Sequence, residues 1–134
     1  MTNSNFQFIQ PEGWPVPKGY ANGVAAQGRQ LFIAGQIGWT AAGQFETDDF
    51  VAQVEQALRN VLSVVGTAGG NSTNITRLTW YVTDKSDYVA RQRDIGEAYR
   101  RVMGRHFPAM TLVVVAGLLE PRAKVEIEAT AVLP

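Results

Sequence analysis

The sequence of 134 residues contains no cysteine, a single histidine and no excess of charge, and each shortage excludes a class of function. Without cysteine there can be no disulfide, no thiolate nucleophile and no thiolate metal site. Twelve basic residues balance twelve acidic ones, so no general electrostatic attraction draws the chain to nucleic acid or to an anionic membrane. A lone histidine argues against a metal centre. We therefore expect no metal, no cofactor and no nucleic-acid partner.

Long apolar runs are also missing. No run approaches the roughly 20 residues that a bilayer span needs, so no membrane partner is expected. The first basic residue is Lys18 and no apolar segment precedes it, which is unlike a signal peptide. Because 46% of the residues are hydrophobic, the chain can build a core of its own. These features predict one cytoplasmic domain over residues 1–134.

Turn residues and short apolar runs divide the first third of the chain. Prolines and glycines crowd residues 11–19, and apolar runs follow over 23–27 and 30–35. Their separation by Gly28 and Arg29 predicts a β-hairpin. A small additional strand is predicted near Phe6–Ile9.

The remaining sequence alternates between helical and strand patterns. Apolar residues at helical spacing predict a helix that is capped by Thr47 and ends at Gly66 or at the Gly69-Gly70 pair. A second helix is predicted from about Ser86 to Gly104. Strands are predicted over 74–83, 110–119 and 125–132, where apolar residues alternate or are continuous.

The predicted order, β-β-α-β-α-β-β, leaves one face of the sheet without cover. Two helices can cover only one face of five or six strands, yet the segment 110–119 is apolar on both faces. A large exposed apolar patch is rare in a soluble monomer. We therefore expect an α+β mixed sheet with two helices on one face, and a second copy of the chain on the other.

Several segments, in this order along the chain, resemble the RidA (YjgF) family, whose members hydrolyse reactive enamines and imines. They are Gly19-Tyr20, Ala34-Gly35-Gln36-Ile37, Val51 to Asn60, Phe107 to Leu119, and Val125-Glu-Ile-Glu-Ala129. The resemblance implies a chorismate-mutase-like α+β fold and a homotrimer whose sheets form a central barrel. It also implies small-molecule clefts between neighbouring subunits.

The resemblance further implies which residues form the cleft. Substrate binding falls to Tyr20, Gly35 and Met110, and the catalytic residue is Glu126. In the family, the first glutamate of the Glu-x-Glu strand orients the attacking water, and a carboxylate within hydrogen-bond reach can accept a proton from water. Glu128, on the same strand face, is expected to be structural.

Met110 departs from the family pattern, in which an arginine after Pro-Ala holds the substrate carboxylate. A guanidinium offers two parallel donors, whereas a thioether offers none. Losing a charge-assisted hydrogen bond costs roughly 1.5–3 kcal/mol, which is about ten- to a hundredfold in handling a small imino acid. Either another arginine binds the carboxylate, with Arg122 and Arg93 as candidates, or the ligand is neutral or more apolar. Arg93 also aligns roughly with the family's asparagine on the second helix.

The leading hypothesis is therefore hydrolytic deamination of an enamine or imine, and the alternative is a non-catalytic metabolite-binding, sensor or chaperone-like protein. His106 is expected at the surface or at a helix end, where a cation suits the negative end of the helix dipole. The arginines between 91 and 105 are interpreted as a solvated helix face, because acidic residues lie among them and Glu97 precedes Arg101 in the favourable i,i+4 order.

Overall fold

The computed structural model describes residues 5–134 and has the α+β architecture that the sequence predicts. The elements are β1 (Phe6–Ile9), β2 (Gly23–Ala26), β3 (Arg29–Ile37), α1 (Phe50–Thr67), β4 (Ile75–Val82), α2 (Lys85–Ala90), α3 (Gln92–Met103), β5 (Ala109–Val114) and β6 (Val125–Leu133), with a 3₁₀ turn at Ser72–Asn74 before β4. None of the helices within these residues is long and apolar enough to cross a membrane. The expectation about a signal peptide falls partly on residues 1–4, which lie outside the described residues.

The strands form two sheets, and the predicted hairpin between the second and third strands is wrong. β2 pairs with β1, the additional strand that the sequence suggested, whereas β3 joins the four-stranded sheet β3-β6-β4-β5. Gly28 lies between the two sheets with a φ of 147°, and a Cβ there would overlap the carbonyl of Leu133. The close approach of β6 therefore redirects the chain at Gly28 and gives β3 a distant partner.

The N-cap of helix α1 lies two residues later than the proposed Thr47 cap. Asp49 is the N-cap and accepts a hydrogen bond from the backbone N–H of Ala52 at 2.9 Å, while the Thr47 hydroxyl accepts from the N–H of Asp49 at 3.0 Å. The helix ends at Thr67, and Gly69 follows with a φ of 92°, which is a conformation that favours glycine.

The single helix predicted over 86–104 is two helices, α2 and α3, separated at Arg91. The backbone leaves helical geometry there, with φ −119° and ψ 25°. The Arg91 guanidinium donates to Asp49 at 2.7 Å, which ties the break to the N-cap of α1. An exposed pair of this kind contributes little energy.

One face of the large sheet carries the core and the other does not. Alternate residues of β6 are buried beneath the helices, and the intervening residues Glu126, Glu128 and Thr130 are half-buried on the opposite face. Phe32 pairs with Thr130 on that opposite face and is 72% exposed. The strand predicted over 110–119 is β5, which ends at Val114, and both Val113 and Val114 are exposed.

His106 is buried, which contradicts the surface or helix-end position expected for it. It is 8% exposed, its Nε2 lies 2.7 Å from the carbonyl oxygen of Ile75, and the rings of Phe6 and Phe8 pack nearby. Burial lowers the pKa of His106, although the hydrogen bond to Ile75 opposes this. The ring is therefore a neutral donor inside the protein. Among residues 5–134 no group of three or more metal-ligating side chains is present.

Candidate functional site

A cavity of about 460 Å³ opens between α3, the edge of β5 and the segment that precedes β2. Two of the predicted site residues, Tyr20 and Met110, line it together. The backbone explains their proximity, because the N–H of Ala21 donates to the carbonyl of Pro108 at 3.0 Å and Ala21 forms a parallel bridge with Ala109. The turn-rich entry segment is thus held against the first residues of β5.

The inner wall of the cavity is aromatic and apolar. Trp80 and Tyr99 stack with their ring centroids 6.4 Å apart, and Tyr99 stacks on Phe107 at 5.3 Å. The Tyr99 hydroxyl donates to the carbonyl of His106 at 2.6 Å, and burial raises the pKa of Tyr99. This wall therefore stays uncharged. Met110 continues it, packing against the core on the helix-covered face of the sheet.

The rim of the cavity is polar and basic. It carries Lys18 and Arg100 together with Tyr88 and Gln92, and no carboxylate from the described part of the chain lines it. Sequence reasoning missed Arg100, which it assigned to a solvated face. A usable signal was the spacing of Gln92, Gly96 and Arg100, since residues four apart lie on one line of a helix and a glycine inside a helix is unfavourable.

Gly35 and Glu126 also come together, but on the opposite face of the sheet. A Cβ built on Gly35 would lie 2.7 Å from the Glu126 carboxyl carbon, so the carboxylate occupies space that only glycine leaves free. The Glu126 carboxylate has no hydrogen-bond or ion-pair partner within residues 5–134. It pairs in register with Tyr81, next to Trp80 of the cavity, but alternate strand residues point to opposite faces.

Glu128 lies on the same face as Glu126 and is bound to a neighbour. The Tyr81 hydroxyl donates to its carboxylate at 2.5 Å, and this hydrogen bond raises the pKa of Tyr81. The Glu128 carboxylate is therefore engaged within the sheet, whereas the Glu126 carboxylate is available to a water molecule.

The two arginines suggested as replacements for the missing one lie outside the cavity. Arg122 donates from Nε to Asp48 at 3.0 Å and from Nη1 to the carbonyl of Phe45 at 3.2 Å. Arg93 is 91% exposed, with its Nε 3.7 Å from Glu97. Gln92, the immediate neighbour of Arg93 on α3, does line the cavity.

Comparison with known proteins gives a consistent set of relatives. A family model described as Endoribonuclease L-PSP matches residues 15–133. The chain is 34% identical over 106 residues to a goat (Capra hircus) protein named 2-iminobutanoate/2-iminopropanoate deaminase, covering 78% of this chain and 73% of the relative. The human protein of the same name is 30% identical over 105 residues, with the same coverage.

Solved structures agree with these relatives. A protein of the conserved Rid family from Yersinia pestis superposes with a TM-score of 0.85 at 33% identity, covering 96% of this chain and 99% of the other. The crystal structure of Escherichia coli TdcF, which contains bound serine, superposes with a TM-score of 0.68 at 28% identity, covering 96% of this chain and 98% of TdcF.

Proposed function

Because this chain belongs to the RidA (YjgF) family, we propose that it hydrolyses a reactive enamine or imine and releases ammonia. The observation that carries the proposal is the Glu126 carboxylate, which lies over Gly35 without a partner in the described residues. A free carboxylate in such a position can accept a proton from water. The names of the goat and human relatives, and the serine bound to TdcF, support a ligand related to amino acids.

The cleft proposed for this reaction is shared between two copies of the chain. Within one chain, Glu126 and the cavity at Met110 lie on opposite faces of the sheet, so they cannot contact one small ligand. A second copy packed on the open face would cover Phe32 and Val113 and present its own Glu126 at the rim. We therefore propose a homotrimer with three such clefts, as the resemblance implies.

The chemistry is an addition followed by an elimination. Water attacks the carbon of the protonated imine while Glu126 accepts one proton from the water, which gives a neutral carbinolamine. Glu126 then returns that proton to the amine nitrogen, the C–N bond breaks as the hydroxyl group releases its proton to solvent, and the products are a carbonyl compound and ammonia. An enamine first becomes an imine by protonation at carbon. Tyr20 closes the cleft and Gly35 supplies a close backbone contact. We propose that one domain performs these steps in the cytoplasm without a cofactor.

The test is ammonia release from an imine that is generated during the assay, comparing the natural protein with Glu126→Gln and Glu128→Gln. Both substitutions remove a carboxylate from the same strand face, and the amide oxygen introduced by Glu128→Gln can still accept a hydrogen bond from Tyr81. Loss of a positioned proton acceptor should lower kcat by about 10²- to 10⁴-fold for Glu126→Gln only. A natural protein no faster than the background, or equal losses in the two variants, would contradict the proposal.

A metabolite-binding protein without catalysis is the second candidate, and Met110 is the observation that favours it. Where the family holds a carboxylate with arginine, this chain presents a thioether to the cavity. Saturable binding of an amino-acid-like ligand without ammonia release would support this candidate. RNA cleavage is not proposed, because the formal net charge is zero and three arginines of this region, Arg91, Arg93 and Arg101, lie in ion pairs.

A further inference from the structure

We propose that Arg100 of helix α3 binds the substrate carboxylate in place of the family arginine, whose position on β5 is Met110 in this chain. We also propose that the cavity accepts a 2-imino acid with a large apolar side chain. The inference rests on the proposed deaminase function and specifies its substrate class. The carboxylate would bind at the rim, on Arg100 with help from Lys18. The side chain of the substrate would lie against the aromatic wall beside Met110.

The charges around the cavity support an anionic group on the ligand. Lys18 and Arg100 both line it, and no acidic residue among the described residues 5–134 does. Neither cation has an ion-pair partner within residues 5–134, whereas neighbouring Arg101 is bound to Glu55 at 2.8 Å. In a chain whose formal net charge is zero, two unpaired cations at the mouth of one cavity form a local anion site.

The geometry of α3 directs the Arg100 guanidinium into this site. Long side chains on a helix point back toward its N-terminus, over the residue four positions earlier. Here that residue is Gly96, and a Cβ built on it would lie 3.5 Å from Nη1 of Arg100. Gly96 itself lines the cavity. Because glycine has no side chain, a ligand has room beside the Arg100 guanidinium at this position.

The aromatic and apolar wall of the cavity selects for apolar bulk. Trp80, Phe107 and Met110 line it together with Leu112, and none of these residues offers a charge to a second polar group on the ligand. A three-carbon imino acid anchored at Arg100 would leave this wall uncovered. Each methylene that is buried there should raise affinity about fourfold, which favours imino acids with aromatic or branched side chains.

The kinetic test compares imines that an amino-acid oxidase generates from alanine, leucine and phenylalanine. For the natural protein, kcat/KM should be at least about tenfold higher with the phenylalanine-derived imine than with the alanine-derived one. Arg100→Gln should lower kcat/KM by roughly 10- to 150-fold, and Arg100→Lys should retain part of it. The matched control is Arg93→Gln, on the same helix but outside the cavity, which should match the natural protein.

A binding measurement separates this inference from the proposed function. Phenylpyruvate, a stable carboxylate, is titrated against the natural protein and followed by tryptophan fluorescence, with the neutral ketone phenylacetone as its uncharged analogue. The natural protein should bind phenylpyruvate more tightly than phenylacetone, and Arg100→Gln should abolish that difference. If this result is obtained without ammonia release, carboxylate binding by Arg100 is supported and the deaminase function is contradicted. If ammonia release is robust but Arg100→Gln equals Arg93→Gln in both assays, carboxylate binding by Arg100 is contradicted and the deaminase function is supported.

Discussion

Replacing Met110 with arginine should restore the handling of small imino acids at the expense of large apolar ones. Met110 pairs in register with Leu78 on the helix-covered face and is half-buried in the cavity wall. A guanidinium there adds a charge-assisted hydrogen bond worth roughly 1.5–3 kcal/mol to a nearby carboxylate, or about 10- to 150-fold in kcat/KM. The free energy of unfolding should fall by about 1–2 kcal/mol, because half-buried apolar surface is lost.

The assay measures kcat/KM for 2-aminoacrylate and for the imine derived from phenylalanine, in Met110→Arg and in Met110→Leu. The leucine variant keeps an apolar wall of similar volume, so its ratio of the two values should equal that of the natural protein. The arginine variant should shift the ratio toward 2-aminoacrylate by at least about tenfold. Equal ratios in the two variants would refute the position of Met110 in the substrate site.

Three further predictions concern Gly35, His106 and Gln53. Gly35→Ala should leave the protein folded but lower kcat by about tenfold or more, measured by ammonia release, because its Cβ would displace the Glu126 carboxylate; unchanged kcat would contradict this position. Burial lowers the pKa of His106 from its usual 6.5, so below that pH the unfolded chain binds more protons and the free energy of unfolding decreases with falling pH. In His106→Gln, whose amide can still donate to a carbonyl, denaturant titrations between pH 6.5 and about 5 should lose this dependence; an unchanged slope would exclude His106 as its cause. Gln53→Met should lower the free energy of unfolding by about 2–4 kcal/mol in the same titrations, because the buried amide makes three hydrogen bonds to backbone atoms; a loss below about 1 kcal/mol would show that water or other groups replace them.

Local sequence patterns predicted the individual helices and strands better than they predicted which elements contact each other. The alternation over 74–83 and 125–132 located β4 and β6 to within about a residue, because strand burial repeats every second position. The hairpin failed since the pairing of β3 with β6 depends on contacts about a hundred residues apart, which adjacent sequence does not encode. The break at Arg91 was missed because helical periodicity continues across it, and the ion pair that Arg91 makes there with distant Asp49 is not encoded in adjacent sequence.

The candidate site was likewise predicted only in part, because its contacts join residues that are distant in sequence. Tyr20, Gly35, Met110 and Glu126 were predicted from the segments that resemble the RidA family. In the structure Tyr20 and Met110 line one cavity, and Gly35 and Glu126 lie together on the opposite face of the sheet. Arg100 was overlooked because its surroundings in sequence are mixed in charge.

The expected ion pair on α3, from Glu97 to Arg101, is wrong. Glu97 lies near Arg93, and Arg101 binds Glu55 of α1 instead. The difference arises because α3 packs on α1, which brings Arg101 next to the Glu55 carboxylate that also binds Arg59. The hydrogen bonds from the two arginines lower the pKa of Glu55. Which arginine remains unpaired, and hence available to a ligand, is decided by tertiary contacts.

A cleft shared between copies of the chain can be tested most directly by mixing two inactive variants. Glu126→Gln keeps the cavity but lacks the carboxylate, and Met110→Glu keeps Glu126 but places a negative charge in the cavity wall. After the two are unfolded and refolded together in equal amounts, about a quarter of the clefts in random trimers should combine an intact cavity with an intact Glu126 from a neighbour. Ammonia release near a quarter of the natural rate is the predicted result, and a mixture as inactive as its components would contradict a shared cleft.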